Sequence, residues 1–295
     1  MIGMGNPHSR LVLVTGATGR QGGAVARQLL REAFRVRVMT RNTGSQAAQI
    51  LAAMGAEIVQ GDFDDARSLR NALAHVSGVF AMQTPYESGT EREIVHGVRL
   101  ADIAREAGVT QFVYSSVAAA DLPTGVPHFE SKGKIERHIA ALGFHSTTIL
   151  RPVFFMEMLL SKGNLRSLAE GRVEMALKPS TAVAMVAVDD IAAMTKFTFL
   201  NPRKWHGQAI TLTGDTPNFD EVAAAFGNAL SAKINYVQVS PERLDPDIRP
   251  KIATQQWLEN EGWEVDLASL SNTYPFTPKT ISQWAIENTE ALRYS

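Results

Sequence analysis

The 295-residue sequence predicts an α/β fold, a doubly wound parallel sheet followed by a smaller, mostly helical C-terminal domain. Three observations carry this. Short apolar runs alternate with stretches of helical spacing, the pattern of βαβ units. Those runs are rich in Val, Ile and Phe without polar alternation, as strands covered on both faces require. After Pro152 the rhythm breaks down.

In order, LVLVTG (11–16) is the first strand and AVARQLLREA (24–33) the first helix, with RVRVMT (35–40) as the second strand. A helix over 45–54 leads to EIVQGD (57–62), and a helix over 66–74 leads to GVFAM (78–82). A long helix is predicted from about Thr90 to Ala107, opened by a capping box of Thr90 and Glu93 and closed by Gly108. QFVYSS (111–116), a helix over 129–142 closed by Gly143, and HSTTIL (145–150) complete the series. Beyond it, FFMEMLL starts a helix-like stretch, RVEMAL (172–177) reads as a strand, and VAMVAV (183–188) leads into the helix DIAAMTKFTFL (190–200). QAITLTG (208–214) reads as a further sheet strand, Asn218 with Glu221 caps another helix, and Thr277-Pro278 starts the last one. Residues 9–153 are thus the expected nucleotide-binding domain and 154–295 the smaller one, with segments near 183–213 returning to the sheet.

Composition narrows the function. Residues are 45% hydrophobic and 20% charged, enough for a sizeable core and against a disordered chain. The formal net charge of -1 gives no long-range attraction for nucleic acid. Cysteine is absent, which excludes thiol catalysis, disulfides and Cys-based zinc sites. No apolar run approaches the roughly 20 residues of a membrane span, and the opening MIGMGNPHSR lacks the apolar region of a secretory signal. A cytoplasmic protein is expected. The His residues (His8, His75, His96, His128, His138, His145, His206) show no metal-ligand spacing, so no metal is expected. Asp64-Asp65 and Asp189-Asp190 are adjacent pairs at helix starts, where helix-end stabilisation accounts for them. Trp205, Trp257, Trp263 and Trp284 are expected mostly in the core.

Gly16-Ala17-Thr18-Gly19-Arg20-Gln21-Gly22 ends the first strand and opens the first helix. In that setting one glycine permits a tight turn, one lets the backbone approach a pyrophosphate, and one lets helix and strand pack closely. The helix N-terminus then faces the negative charge. At the end of the second strand stands Thr40-Arg41-Asn42, without the acid that would hold a ribose 2′-OH. A guanidinium binds a 2′-phosphate bidentately, so Arg41 is the expected phosphate ligand, with Arg20 and Asn42 as helpers, and NADP(H) the expected cofactor. Asp62 and Phe63, ending the third strand, are adenine contacts or else a helix cap and a core aromatic. Gln83-Thr84-Pro85, ending the fourth, falls near the ribose and nicotinamide, and Pro152 completes the cofactor set.

TGATGRQGG, TRN, GAEIVQGDFDD, VYSSVA, HFESKGKIERHI and LRPVFFME together resemble the NmrA-like family of atypical short-chain dehydrogenases, in particular the branch of the animal NADPH sensor HSCARG. The resemblance is strong over about residues 10–160 and weaker beyond. It implies a Rossmann-type domain with a small C-terminal domain, and NADP(H) held by the glycine loop and Arg41. Members range from reductases of quinones, enones and benzylic ethers to non-catalytic proteins that bind transcription factors. Relatives that reduce carbonyls use Ser, Tyr and Lys, the last two spaced Y-x-x-x-K; here His128 replaces the Tyr, and Lys132 is kept. Lys132 is then a ribose ligand, and His128 either a proton donor near neutral pH or a surface or capping residue. Ser115 and Ser116 lie where the family's Ser lies. Met158 stands where many relatives carry Asn, which with Tyr86 and Phe155 suggests an apolar substrate cleft. Two readings follow: an NADPH-dependent reductase of a small aromatic or carbonyl acceptor, or a redox sensor that binds a protein partner. Neither nucleic acid nor a membrane is an expected partner, and the oligomeric state stays open.

Overall fold

A computed structural model describes residues 10–244 and 252–293; the expectation about the opening residues falls almost wholly outside them. The strand–helix alternation comprises β1 (Leu11–Val14), α1 (Arg20–Arg31), β2 (Arg35–Thr40), α2 (Gln46–Ala53), β3 (Glu57–Gln60), α3 (Ala66–Leu73), β4 (Gly78–Ala81), α4 (Pro85–Glu106), β5 (Gln111–Ser115), α5 (Pro127–Ala141) and β6 (Ser146–Pro152). There follow β7 (Phe154–Phe155), a 3-10 helix Met156–Leu160, α6 (Lys162–Ala169), β8 (Arg172–Met175), β9 (Met185–Val186), α7 (Val188–Leu200), α8 (Pro202–Trp205) and β10 (Gln208–Leu212). The chain closes with α9 (Phe219–Leu230), β11 (Asn235–Gln238), α10 (Ile252–Asn260), α11 (Leu267–Thr273), α12 (Ile281–Glu287) and α13 (Thr289–Arg293). No helix among the described residues is long and apolar enough to cross a membrane.

The chain forms two compact units. One runs to Pro123 and adds Pro127–Arg151 and Ile191–Thr211; the other holds Thr124–Val126, Pro152–Asp190 and the chain from Leu212. The α/β expectation holds. The sheet order is β10-β6-β5-β4-β1-β2-β3, and the pairs β3–β2, β2–β1, β1–β4, β4–β5 and β5–β6 are parallel. Every residue of β1, β4 and β5 is buried, which explains why their apolar residues do not alternate with polar ones. The strand order reverses between β1 and β4, and at such a switch point the carboxyl ends of the strands open a crevice for ligands. Thr15 holds this point together: its Oγ1 donates to Met82 O (3.0 Å) and accepts from Met82 N (2.9 Å). Arg37, buried in β2, donates to Ala72 O (2.9 Å) and Ala74 O (2.7 Å) and pairs with Glu57 (2.8 Å), so its charge answers the carboxyl end of α3.

In the second unit, β8 pairs with β11 and β7 with β9. The expected cap of Asn218 and Glu221 is a reciprocal capping box on α9. Three carboxylates accept main-chain N–H groups: Glu157 from Val188 (3.0 and 3.1 Å), Asp190 from Lys279 (2.8 Å) and Asp215 from Ile281 (2.8 Å). Burial pushes Glu157 up and Asp190 up to about 6.

Several expectations need correction. α4 holds two helical pieces: a short one not foreseen opens at Pro85, capped by Thr84, and Gly89 (φ 84, ψ 167), in a left-handed conformation that favours glycine, separates it from the long helix, which runs from about Thr90 as expected. Glu93 does not cap it. FFMEMLL splits into β7 and the 3-10 helix, and Met185–Val186 of VAMVAV pairs as a strand. The last amphipathic helix starts from Thr280, because Thr280 and Gln283 cap each other reciprocally, rather than at Thr277-Pro278. Asp65 caps α3 as expected (2.9 Å from Arg67 N), but Asp64 turns to Arg92 and His96 instead. Trp205, Trp257 and Trp284 are buried and Trp263 is half-buried.

Candidate nucleotide-binding site

The glycine loop leaves β1 through Gly16 at φ +63, and Gly19 N donates to Gly16 O (3.0 Å) to close the turn. Gly22 sits in the first turn of α1 directly against the loop: a Cβ there would lie 2.5 Å from Gly16 C and O and 2.6 Å from Thr15 O. A Cβ on Gly19 would meet only Gly16 O, at 3.3 Å. The two glycines thus do different things, one for helix–strand packing and one for open approach to the backbone.

A cleft of about 760 Å³ lies over this loop, lined by Gly16, Thr18, Gly19, Arg41, Asn42, Asp62, Phe63, Gln83 and Thr84 among others. The structure brings these nine predicted residues together. Asn42 shapes the turn that presents Arg41: its Oδ1 accepts from Gly44 N (3.0 Å), and its N donates to Thr40 Oγ1 (3.2 Å). Asp62 is a turn residue, with Oδ1 accepting from Asp64 N (2.9 Å). Phe63 stacks on His96 at 5.4 Å between centroids. Gln83 is 3% exposed, and neither atom of its amide finds a hydrogen-bond partner among the described residues. Such a group costs roughly 1–3 kcal/mol unless something satisfies it.

The other predicted residues do not line this cleft. Arg20, Gln21 and Gly22 form the first turn of α1, and Gln21 is buried with its Nε2 donating to Ser115 Oγ (2.6 Å). Pro85 and Tyr86 open α4, Tyr86 exposed. Ser116 is buried and its Oγ has no partner among the described residues. His128, second residue of α5, packs edge-on against Phe129 (4.6 Å) and faces Tyr86 (6.5 Å). Pro152, Phe155 and Met158 belong to the second unit, the last two half-buried on β7 and the 3-10 helix.

Lys132 has a role the spacing alone did not show. Its Nζ lies 3.0 Å from Glu93 Oε1, 2.7 Å from Gln83 O and 3.4 Å from Ser115 O. An ammonium has three N–H donors, and here each faces an acceptor of the protein. Glu93 is fully buried and also accepts from Ser131 Oγ (2.5 Å). Burial pulls the lysine below its usual range while Glu93 opposes that. Residues missed by the sequence reading are therefore Glu93, Thr15, Glu87, and the rim cluster in which Asp64 pairs with Arg92 and His96. Asp64 is held below the usual carboxylate range by those hydrogen bonds, His96 first. No cluster of three or more metal-ligating residues occurs among the described residues.

Gly19, Arg41 and Gln83 share one cleft at the carboxyl ends of the strands of a Rossmann-type α/β sheet. The chain belongs to the NmrA-like family, whose pattern matches residues 8–289. It is 31% identical over 250 residues to the NmrA-like family domain-containing oxidoreductase hkm9 of Aspergillus hancockii, covering 77% of this chain and 75% of that one. Three solved structures share the fold: Citrobacter sp. triphenylmethane reductase complexed with NADP(H) (TM-score 0.79, 21% identity, 95% and 99% of the two chains); the Escherichia coli NADPH-dependent quinone oxidoreductase QOR2 with NADPH (0.77, 21%, 94% and 99%); and NmrA, a negative transcriptional regulator, with NADP (0.76, 20%, 96% and 96%).

Proposed function

We propose that this chain is an NADP(H)-dependent reductase of a flat, apolar acceptor: a quinone, an enone or an aromatic ketone. The observation that carries the reading is Gln83, a buried amide without a hydrogen-bond partner among the described residues, in a cleft that also holds the open Gly19 backbone and Arg41. A dinucleotide fits that combination. Bound there, a reduced nicotinamide supplies hydride. Arg41 offers a bidentate donor to a 2′-phosphate, where an acid would repel it, and α1 turns its N-terminal N–H groups toward the pyrophosphate. The named activities of triphenylmethane reductase and of QOR2, both complexed with this cofactor type, support the same reading.

The acceptor class follows from the missing Tyr and from Lys132. Because Glu93 neutralises Lys132 at 3.0 Å, the pair gives a developing oxyanion less help than a free ammonium would. A hydroquinone anion needs little help, whereas the alkoxide of a ketone, aromatic or simple, must be protonated, so the quinone is the acceptor of the three that these residues favour most. The hydroxyl of Ser115, which accepts from Gln21, still has its own proton to donate. His128 in place of Tyr favours a second reading, an NADP(H) sensor acting on a protein partner, and the regulator NmrA is a fold neighbour with NADP bound.

Fluorescence titration with NADPH and NADH tests the cofactor, and NADPH oxidation at 340 nm over quinones, enones and aryl ketones tests the chemistry. NADPH is expected to bind at least about tenfold tighter, roughly 1.4 kcal/mol, within reach of one charge-assisted bond. Equal affinities overturn the NADP preference. Tight NADPH binding without turnover on any acceptor replaces the reductase with the sensor.

A further inference from the structure

The end of β2 lacks an acid, yet a carboxylate stands in the same cleft. Glu87 Oε2 lies 2.8 Å from Arg41 Nη2, and both residues line the cleft. Glu87 comes from the short first turn of α4, which Thr84 caps by accepting from Tyr86 N (3.3 Å) and which Gly89 separates from the rest of the helix. A Cβ at Gly89 would meet nothing within 4 Å, so the glycine is there for its backbone conformation and not for packing. The side chains of Arg41 and Glu87 are 67% and 58% exposed, so the pair is a weak one that a better anion displaces.

We infer that Glu87 sets how strongly the site prefers a 2′-phosphorylated nucleotide, by competing with that phosphate for Arg41. This rests on the dinucleotide reading above and adds a determinant to it. A 2′-phosphate claims the guanidinium that Glu87 already occupies, and brings a second negative charge beside the displaced carboxylate. A nucleotide without the phosphate leaves the Arg41–Glu87 pair intact. Arg41 therefore gives the preference and Glu87 limits it.

Calorimetric titration of the full chain with 2′,5′-ADP and with 5′-AMP reads this directly, using wild type, Glu87→Gln, Arg41→Ala and the double variant. Glu87→Gln is expected to tighten 2′,5′-ADP by about three- to tenfold, the scale of an exposed ion pair plus like-charge relief, and to change 5′-AMP less than about twofold. In the Arg41→Ala background the same substitution is expected to change 2′,5′-ADP less than about twofold, because the contested partner is gone. If Glu87→Gln leaves 2′,5′-ADP unchanged, weakens it, or tightens both nucleotides alike, the inference falls while the cofactor reading stands. If wild type binds NADPH but not 2′,5′-ADP, the inference falls while the cofactor reading stands; if it binds neither, the cofactor reading falls and takes the inference with it.

Discussion

Gly19 and Gly22 are three residues apart and are expected to fail in different ways. At Gly19 the backbone is extended (φ -99, ψ -177), which valine adopts without strain. A Cβ there meets only Gly16 O at 3.3 Å, so Gly19→Val is expected to fold. The helix loses a favourable N-cap, a cost of about 1 kcal/mol, or roughly 2–4 °C in Tm for a chain of this size. The branched side chain nonetheless fills the approach to the backbone that a pyrophosphate needs, and NADPH binding is expected to vanish. Gly22→Ala is the opposite case. Its Cβ stands 2.5 Å from main-chain atoms of Gly16, about 0.9 Å short of ordinary contact, and main-chain atoms cannot rotate away. The first turn of α1 must retreat from β1, an overpacking cost of about 1–3 kcal/mol. Differential scanning fluorimetry and NADPH titration, run on both variants, separate these outcomes. Wild-type NADPH affinity in Gly19→Val would reduce the loop to a turn. An unchanged Tm in Gly22→Ala would refute the packing argument.

Two further expectations concern buried charge. Lys132→Met strands the buried Glu93 carboxylate and is expected to cost about 3–5 kcal/mol in urea unfolding; adding Glu93→Gln is expected to restore much of it, and a double variant no more stable than the single one contradicts the pairing. Asp190, pushed up to about 6 from 3.8, binds its proton more tightly folded than unfolded, so its contribution, roughly 3 kcal/mol, is present below about pH 4 and is lost as pH rises through about 6. Asp190→Asn keeps an acceptor for Lys279 N and is expected to be more stable than wild type at pH 8 but not at pH 4; a constant difference between the variants across that range removes the titration from the account.

The parallel sheet was legible because its chemistry is local. LVLV, GVFA and the FVY centre of QFVYS are apolar runs without polar alternation, as strands covered on both faces carry between helices of this length. The glycine loop and Arg41 were legible for the same reason, since the turn, the helix start and the strand end lie within one βαβ unit. What escaped depends on contacts between distant segments. Thr90-x-x-Glu93 satisfies the local pattern of a capping box, but Glu93 meets Lys132 and Ser131 on α5, and that tertiary partner outweighs a cap. Asp64 shows the same thing: its sequence neighbourhood suggests a helix end, and its partners Arg92 and His96 come from α4. Glu87 was hidden because the short helical piece between Thr84 and Gly89 was not foreseen, which left it without an assigned position. The C-terminal helices α10 and α11 were missed because IATQQWLEN and LASLSNT carry no sustained apolar spacing.

The Lys132 environment changes what the H-x-x-x-K spacing means. In a Y-x-x-x-K site the lysine is useful because its charge reaches the tyrosine and the ribose. Here the ammonium spans Gln83 O, just beyond the end of β4, and Ser115 O, the last residue of β5, with Glu93 at its third N–H. To hold a ribose hydroxyl it must release one of these acceptors. Gln83 O is the acceptor whose release bears on the cleft, because the same residue carries the unpartnered amide. Tyr114, whose ring lies 5.3 Å from Lys132 Nζ, is no substitute acid: it is fully buried, and burial pushes its phenol well above the usual range. The residues around Lys132 thus hold two strand ends and a buried amide in register, and are poorly equipped to drive a proton onto an alkoxide. Hydride transfer to an acceptor that needs no strong acid is the chemistry such an arrangement permits.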